Sequence, residues 1–232
     1  MDKNKHIVAI GGGGFGRNPN NPIIEKYILN LSSSERPTIT FFPTASAENS
    51  DYIVNFYTAF SKLNCNAQHI SLFKNTPDLE EIINNSDIIY VGGGNTKSML
   101  AVFREWNLDK LIAKAYQEGK ILAGVSAGAI CWFNKGITDS WDDGLRVLDC
   151  MDILDGTCCP HYDGEANRRP SVENFLKSKD IESCLCIEDG AALHYENDII
   201  KTAISFYENK NAYEVKYNGS YLIETPINKI EI

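Results

Sequence analysis

The chain has no basic cluster longer than the pair Arg168-Arg169, and its 232 residues carry a net charge of −9. That excludes the electrostatic footprint of a nucleic-acid-binding or anionic-membrane-binding surface. No apolar stretch reaches the length of a membrane span. The polar start Met1-Asp-Lys-Asn-Lys-His6 lacks an apolar signal-peptide core, so a cytoplasmic protein is expected. None of the seven cysteines stands in a Cys-x-x-Cys pair, the spacing usual for structural zinc. No metal is expected, and the thiols read as small buried hydrophobes of a reducing compartment. Repeats, low-complexity stretches and linkers are also missing. With 43% hydrophobic residues, the chain is expected to form a single domain over 1–232.

One glycine cluster has the form of a cofactor motif, Gly11-x-Gly13-x-x-Gly16. A run of glycines satisfies that spacing trivially. Asn18-Pro-Asn-Asn-Pro22 intervenes before any helix, and no acidic residue ends the second strand. No cofactor is expected.

What is present is an alternation of strand and helix patterns. Apolar runs predict strands at 6–10, 38–42, 68–73, 87–91 and 120–124. Helical spacing predicts helices at 22–31, capped by Asn21, and at 51–63, 78–84, 96–104 and 108–118. A helix-like stretch, 127–133, follows the last of these strands. Beyond residue 180 the pattern changes to strands at 185–187, 191–195, 199–207, 212–217 and 221–224, separated by turns such as Asp189-Gly190 and Asn218-Gly219. The expected class is α/β: a three-layer sandwich with a mostly parallel central sheet and a strand-rich C-terminal part.

In such a sheet, chemistry collects at the carboxyl ends of the strands. Gly124-Val-Ser126-Ala-Gly128 has the pattern of a nucleophile elbow, a turn so tight that small residues must flank the serine. Val91-Gly-Gly-Gly-Asn-Thr96 follows another strand, and its accessible N–H groups suit an oxyanion hole. A serine hydroxyl needs a base. Of the four histidines, His161 lies in a polar loop of shaped character, Pro160-His-Tyr-Asp-Gly-Glu165. Glu188 ends an apolar strand and could orient the imidazole, with Asp139 and Asp163 as rivals. The order Ser, His, acid differs from that of α/β-hydrolases, but geometry defines a triad.

Taken together, the glycine loop, the elbow, Pro160-His161 and the strand-ending Glu188-Asp-Gly190 resemble the peptidase E-like serine peptidases, a family with aspartyl dipeptidases and cyanophycinases among its members. The resemblance implies a flavodoxin-like or class I glutamine-amidotransferase-like fold, with Ser126 as nucleophile, His161 as base and Glu188 as orienting acid. It further implies an oxyanion hole from the N–H groups of Ala127 and of Gly94 or Gly93. Asn95, Arg168 and Arg169 would bind substrate, the arginines meeting a side-chain carboxylate. Two departures stand out. Val125 occupies a position that is aromatic in aspartyl dipeptidases, and the first loop is unusually rich in glycine. The chain resembles instead a branch with a Gly-rich first loop and a His-Tyr-Asp-Gly-Glu segment.

The expected activity is hydrolysis of small peptides through an acyl-enzyme, with Asp-Xaa dipeptides as one substrate class. A related acyl hydrolase (cyanophycinase-like, amidase or esterase) would use the same residues. A non-catalytic metabolite-binding protein on this scaffold is a third reading. The expected partner is a small peptide, with neither nucleic acid nor membrane. Tyr207, Tyr213, Tyr217 and Tyr221 offer a C-terminal surface for a second copy, so a homodimer is an expectation as well.

Overall fold

The computed structural model describes residues 4–232, and the first three residues of the polar start lie outside the described residues. The first half runs β1 (His6–Ile10), α1 (Ile23–Leu29), β2 (Thr38–Phe42), α2 (Ser50–Phe60), β3 (Asn66–His69), α3 (Leu79–Asn85), β4 (Ile88–Val91), α4 (Thr96–Glu105), α5 (Leu108–Gln117), β5 (Ile121–Val125) and α6 (Ala127–Ile130). There follow β6 (Phe133–Trp141), β7 (Gly144–Asp149), β8 (Leu154–Cys159), α7 (Arg168–Ser178), β9 (Cys184–Ile187), β10 (Ala191–Glu196), β11 (Ile199–Ser205), β12 (Ala212–Tyr217), β13 (Leu222–Pro226) and β14 (Lys229–Glu231).

An eight-stranded sheet has the order β14-β11-β10-β1-β5-β4-β2-β3, and a six-stranded sheet the order β13-β12-β9-β8-β6-β7. From β1 to β3 every neighbouring pair in the large sheet is parallel, and β10 runs antiparallel to β1. The register pairs Ile10 with Val125 and Val91 with Gly124. The carboxyl ends of β1, β5 and β4 therefore finish side by side, and their loops share one edge.

These strands read as unbroken apolar runs because both faces of the sheet are covered. Alternation still sorts the side chains. Val8 and Ile10 face a cluster with Phe15, Phe41 and Phe56, while Ile7 and Ala9 face one that continues through Phe133, Leu154 and Cys158 into the second sheet. Phe15, Phe41 and Phe56 are fully buried, and burial of each contributes roughly 1.5–3 kcal/mol. All seven cysteines are buried and free.

The expected fold class holds, with local differences. Asn21 does not cap α1; Pro22 holds the cap position, and no side chain bonds the exposed N–H groups there. The third strand is Asn66–His69 rather than 68–73, and Ile70 and Leu72 are buried beyond its end. Their alternation is that of a loop lying on the core. The helix after the elbow stops at Ile130, because the chain turns into β6 at Phe133.

Candidate active site

Ser126 stands between β5 and α6 with φ 56° and ψ −112°. That backbone conformation is rare for a residue with a side chain and costs on the order of 1–3 kcal/mol. Packing holds it there. A Cβ on Gly124 would lie 2.1 Å from the Gly128 carbonyl, and one on Gly128 would lie 1.9 Å from the Val91 carbonyl. Both glycines of the pentapeptide are thus dictated by close backbone approach. The Ser126 carbonyl accepts from Ala129 and Ile130 at 2.9 and 3.1 Å, which starts the short helix.

His161 Nε2 lies 2.8 Å from Ser126 Oγ, and its Nδ1 lies 2.6 Å from Asp189 Oδ1. These partners fix the tautomer in which Nδ1–H donates to the carboxylate and Nε2 accepts from the serine hydroxyl. The histidine is buried and the serine half-buried. Asp189 also receives the exposed Arg17 guanidinium at 2.5 Å. Partial burial pushes its carboxyl upward, but the His161 and Arg17 contacts outweigh that and hold it at about 2. At neutral pH it is an anion.

The expected acid, Glu188, does not face His161. Its carboxylate accepts from Asn211 N–H at 2.9 Å and Tyr213 hydroxyl at 3.4 Å, with Arg169 at 3.7 Å. Successive residues of an extended chain point to opposite sides. Glu188 continues the β9 alternation on the face of Cys184 and Cys186, where Tyr213 also packs, so the next residue is the one turned to the histidine. Asp163 accepts from Asp189 N–H at 2.8 Å and pairs with Lys210, bracing the loop from behind. Asp139 lies 3.8 Å from Arg168. The signal that could have found Asp189 is this one-residue step past the strand end.

All three segments hang on consecutive carbonyls at the end of β1. Ile10 accepts from Ser126 N–H at 3.0 Å, Gly11 from His161 N–H at 3.3 Å, and Gly12 from Gly190 N–H at 2.8 Å.

The glycine loop lies against the serine, and a Cβ on Gly93 would be 3.2 Å from that of Ser126. Three of four successive N–H groups in this loop are engaged. Gly92 donates to Phe42 O at 3.1 Å, Gly93 to the Tyr52 hydroxyl at 3.3 Å and Asn95 to Ala45 O at 2.8 Å. The Gly94 N–H has no acceptor among the described residues, and neither has that of Ala127. The loop ends where Asn95 Oδ1 caps α4 through Ser98 N–H at 2.9 Å.

Two cavities meet at Ser126 and His161. One of about 350 Å³ is lined by Arg17, Asn49, Tyr52 and Asn55. The other, of about 250 Å³, is lined by Gly94, Asn95, Asp139, Ser140, Glu165 and Arg168. The proposed substrate-binding residues are largely engaged elsewhere. The Asn95 amide also donates to Ser140 O at 3.1 Å. Buried Arg168 binds Glu165 at 2.7 Å and Ile137 O at 2.9 Å. Arg169 lines neither cavity; it pairs with Glu224 and stacks on the Tyr162 ring at 4.1 Å. Arg17 and Tyr52 border the larger cavity and were not singled out by sequence reasoning. Among the described residues no helix is long and apolar enough to cross a membrane. No group of three or more His, Cys, Asp or Glu among them is placed to hold a metal ion.

The model of peptidase family S51 matches residues 7–203, a span containing Ser126, His161 and Asp189. The chain belongs to peptidase family S51. This S51 peptidase is 44% identical over 224 residues to the uncharacterized peptidase YgaJ of Bacillus subtilis, covering 96% of this chain and 97% of that one. It is 27% identical over 168 residues to Peptidase E of Shewanella sp. strain W3-18-1, covering 66% of this chain and 68% of that one. The crystal structure of a peptidase from an acI-B1 actinobacterium aligns with a TM-score of 0.70 over 96% of this chain and 98% of that one, at 14% identity. The last likeness concerns the fold alone. Membership of the family makes the chain a peptidase, a hydrolase.

Proposed function

We propose that this peptidase hydrolyses small peptides through an acyl-enzyme on Ser126, with His161 as base and Asp189 as the acid that orients it. The single observation that carries this is the unbroken line Ser126 Oγ, His161, Asp189, at 2.8 and 2.6 Å. His161 takes the hydroxyl proton as Oγ attacks the scissile carbonyl. The imidazolium so formed faces an ionised Asp189, and the oxyanion forms beside the unengaged N–H groups of Gly94 and Ala127. His161 then protonates the leaving nitrogen, the C–N bond breaks, and an ester on Ser126 remains. Water repeats the sequence, which frees the acid product and restores the serine.

Cavities of about 350 and 250 Å³ lie at and just below the low end of small-molecule sites, roughly 300–1,000 Å³. That supports short peptides as substrates. The narrower reading, an Asp-Xaa dipeptidase, needs a guanidinium for the aspartyl carboxylate. Arg168 and Arg169 already serve protein carboxylates, which favours the broader reading.

A fluorophosphonate should label the wild type, whereas Ser126→Ala should not be labelled and His161→Ala only weakly. Equal labelling of Ser126→Ala would remove the assignment. A dipeptide and short-peptide library, read against the same Ser126→Ala control, then identifies the substrates.

A further inference from the structure

Tyr52 is the first aromatic residue of α2, and its ring fills a slot between two loops of the site. A Cβ on Gly16 would lie 2.7 Å from one ring edge, at Cε2, and a Cβ on Gly92 would lie 2.9 Å from the other, at Cε1. Both loops are therefore bare where the ring passes, and a larger residue in either would expel it. Phe15 and Phe41 pack on it with centroids at 5.2 and 5.1 Å. So confined, the ring has one place for its hydroxyl: on the Gly93 N–H at 3.3 Å, in the wall of the larger cavity beside Ser126.

This contact selects among the glycine N–H groups. Peptide planes are rigid, so once the Gly93 N–H is anchored the direction of the Gly94 N–H is set by the φ and ψ of Gly93 alone. With Gly93 tied to the phenol, the chain turns at Gly94, whose φ is 137°, and Asn95 N–H returns to Ala45 O at 2.8 Å. Gly94 N–H is left unengaged in the wall of the smaller cavity, which it shares with Ser126.

We propose that Tyr52 is a positioning residue of the oxyanion site: by holding the Gly93 N–H, its hydroxyl turns the glycine loop so that Gly94 N–H is the donor to the developing oxyanion. This rests on Ser126 acting as nucleophile. The phenol suits the task because it stays neutral. Burial, opposed by the Gly93 contact and reinforced by the nearby Glu25 carboxyl, pushes it up to about 12. A phenolate at that place would hold the N–H more tightly but set a negative charge beside the forming oxyanion.

The test is Tyr52→Phe, which removes one oxygen and keeps the ring in its slot, with inactivation by a fluorophosphonate measured for wild type, Ser126→Ala and the variant. A lost oxyanion donor typically costs roughly 10²–10³ in rate, and a misdirected one should cost part of that. The expected result is a maximal inactivation rate lower by about tenfold or more. The constant for the initial reversible complex, the melting temperature and the shape of the pH profile should be unchanged. An inactivation rate within twofold of wild type overturns the role of Tyr52 while leaving the nucleophile intact. So does a loss confined to the reversible complex, or one that tracks a fallen melting temperature. Failure of the wild type to label at Ser126 overturns both.

Discussion

A β-carbon on Gly12 would lie 1.9 Å from Oδ1 of Asp189 and 2.7 Å from Nδ1 of His161. Gly12 and Asp189 also form an isolated parallel bridge. The first glycine cluster thus has a role unlike that of a dinucleotide loop. Its bare backbone is the floor on which the histidine and the aspartate meet.

Gly12→Ala should therefore disable the site without unfolding the chain. The methyl group has to push Asp189 off the imidazole, and a displacement of about 1 Å in a catalytic group can cost 10²-fold. The rate of fluorophosphonate labelling should fall by about that factor or more, while circular dichroism retains its wild-type form.

Asp189 and Glu188 separate cleanly by substitution. Asp189→Asn should lower turnover by about 10⁴, because an amide stabilises the wrong imidazole tautomer and no imidazolium. Glu188→Gln should leave the labelling rate within about threefold of wild type while lowering stability by ~1–2 kcal/mol, since it weakens hydrogen bonds made to a charged group. Rates and urea midpoints on the two variants check both halves; the reverse pattern would return Glu188 to the site.

Stability should fall on acidification through His194. This buried ring bonds His6 at 3.0 Å and the Tyr27 hydroxyl at 2.7 Å. Burial, aided by His6 and Lys201, drops it from the ordinary 6.5 to about 4. Between those values the unfolded chain binds the extra proton and the folded one does not. Stability is therefore lost as pH falls through 6.5, by up to ~3 kcal/mol once pH 4 is reached. Melting temperatures from pH 7.5 to 4.5 should show this slope in wild type and a shallower one in His194→Gln.

Glu25 acts in the opposite direction. Its side chain is fully buried, one oxygen accepting from Phe15 N–H at 2.6 Å and the other unpartnered. Burial, against the pull of the Phe15 contact, raises the carboxyl from 4.5 to about 7. The folded state keeps a proton that the unfolded chain gives up at 4.5, so this contribution is full below 4.5 and lost as pH rises through 7. Glu25→Gln, neutral at every pH, should gain stability over wild type at pH 8, by ~1–3 kcal/mol, and gain almost nothing at pH 4. Denaturant midpoints at the two pH values decide it.

The parallel half of the fold was legible where its strands, β1, β2, β4 and β5, are buried on both faces, and less so at the half-exposed edge strand β3. The strands Phe133–Trp141, Gly144–Asp149 and Leu154–Cys159 were not read from the sequence at all. Buried, half-exposed and exposed positions are mixed irregularly along them, with Asp139, Asp142 and Asp143 near the hairpin tip, so neither a continuous apolar run nor strict alternation marks them. Ser126 and His161 were legible from the elbow pattern and from a loop of turn residues. Asp189 was not, since Glu-Asp-Gly offers two carboxylates in a row and only the side to which the strand turns each one distinguishes them. Tyr52 carried no motif; its slot exists only once Gly16 and Gly92 have been brought together.

The row of carbonyls from Ile10 to Gly12 sets the spacing of the whole machinery. Each of three distant segments is docked on its own rung, 3.0, 3.3 and 2.8 Å away. An insertion or deletion of one residue in this stretch would move some rungs and not others, and so slide the histidine and the aspartate relative to the serine in one stroke. Length is thus fixed here as strictly as composition. In a protein whose other loops can grow or shrink at the surface, these three residues are where a frame-preserving indel should be lethal to activity even if every side chain named above is retained.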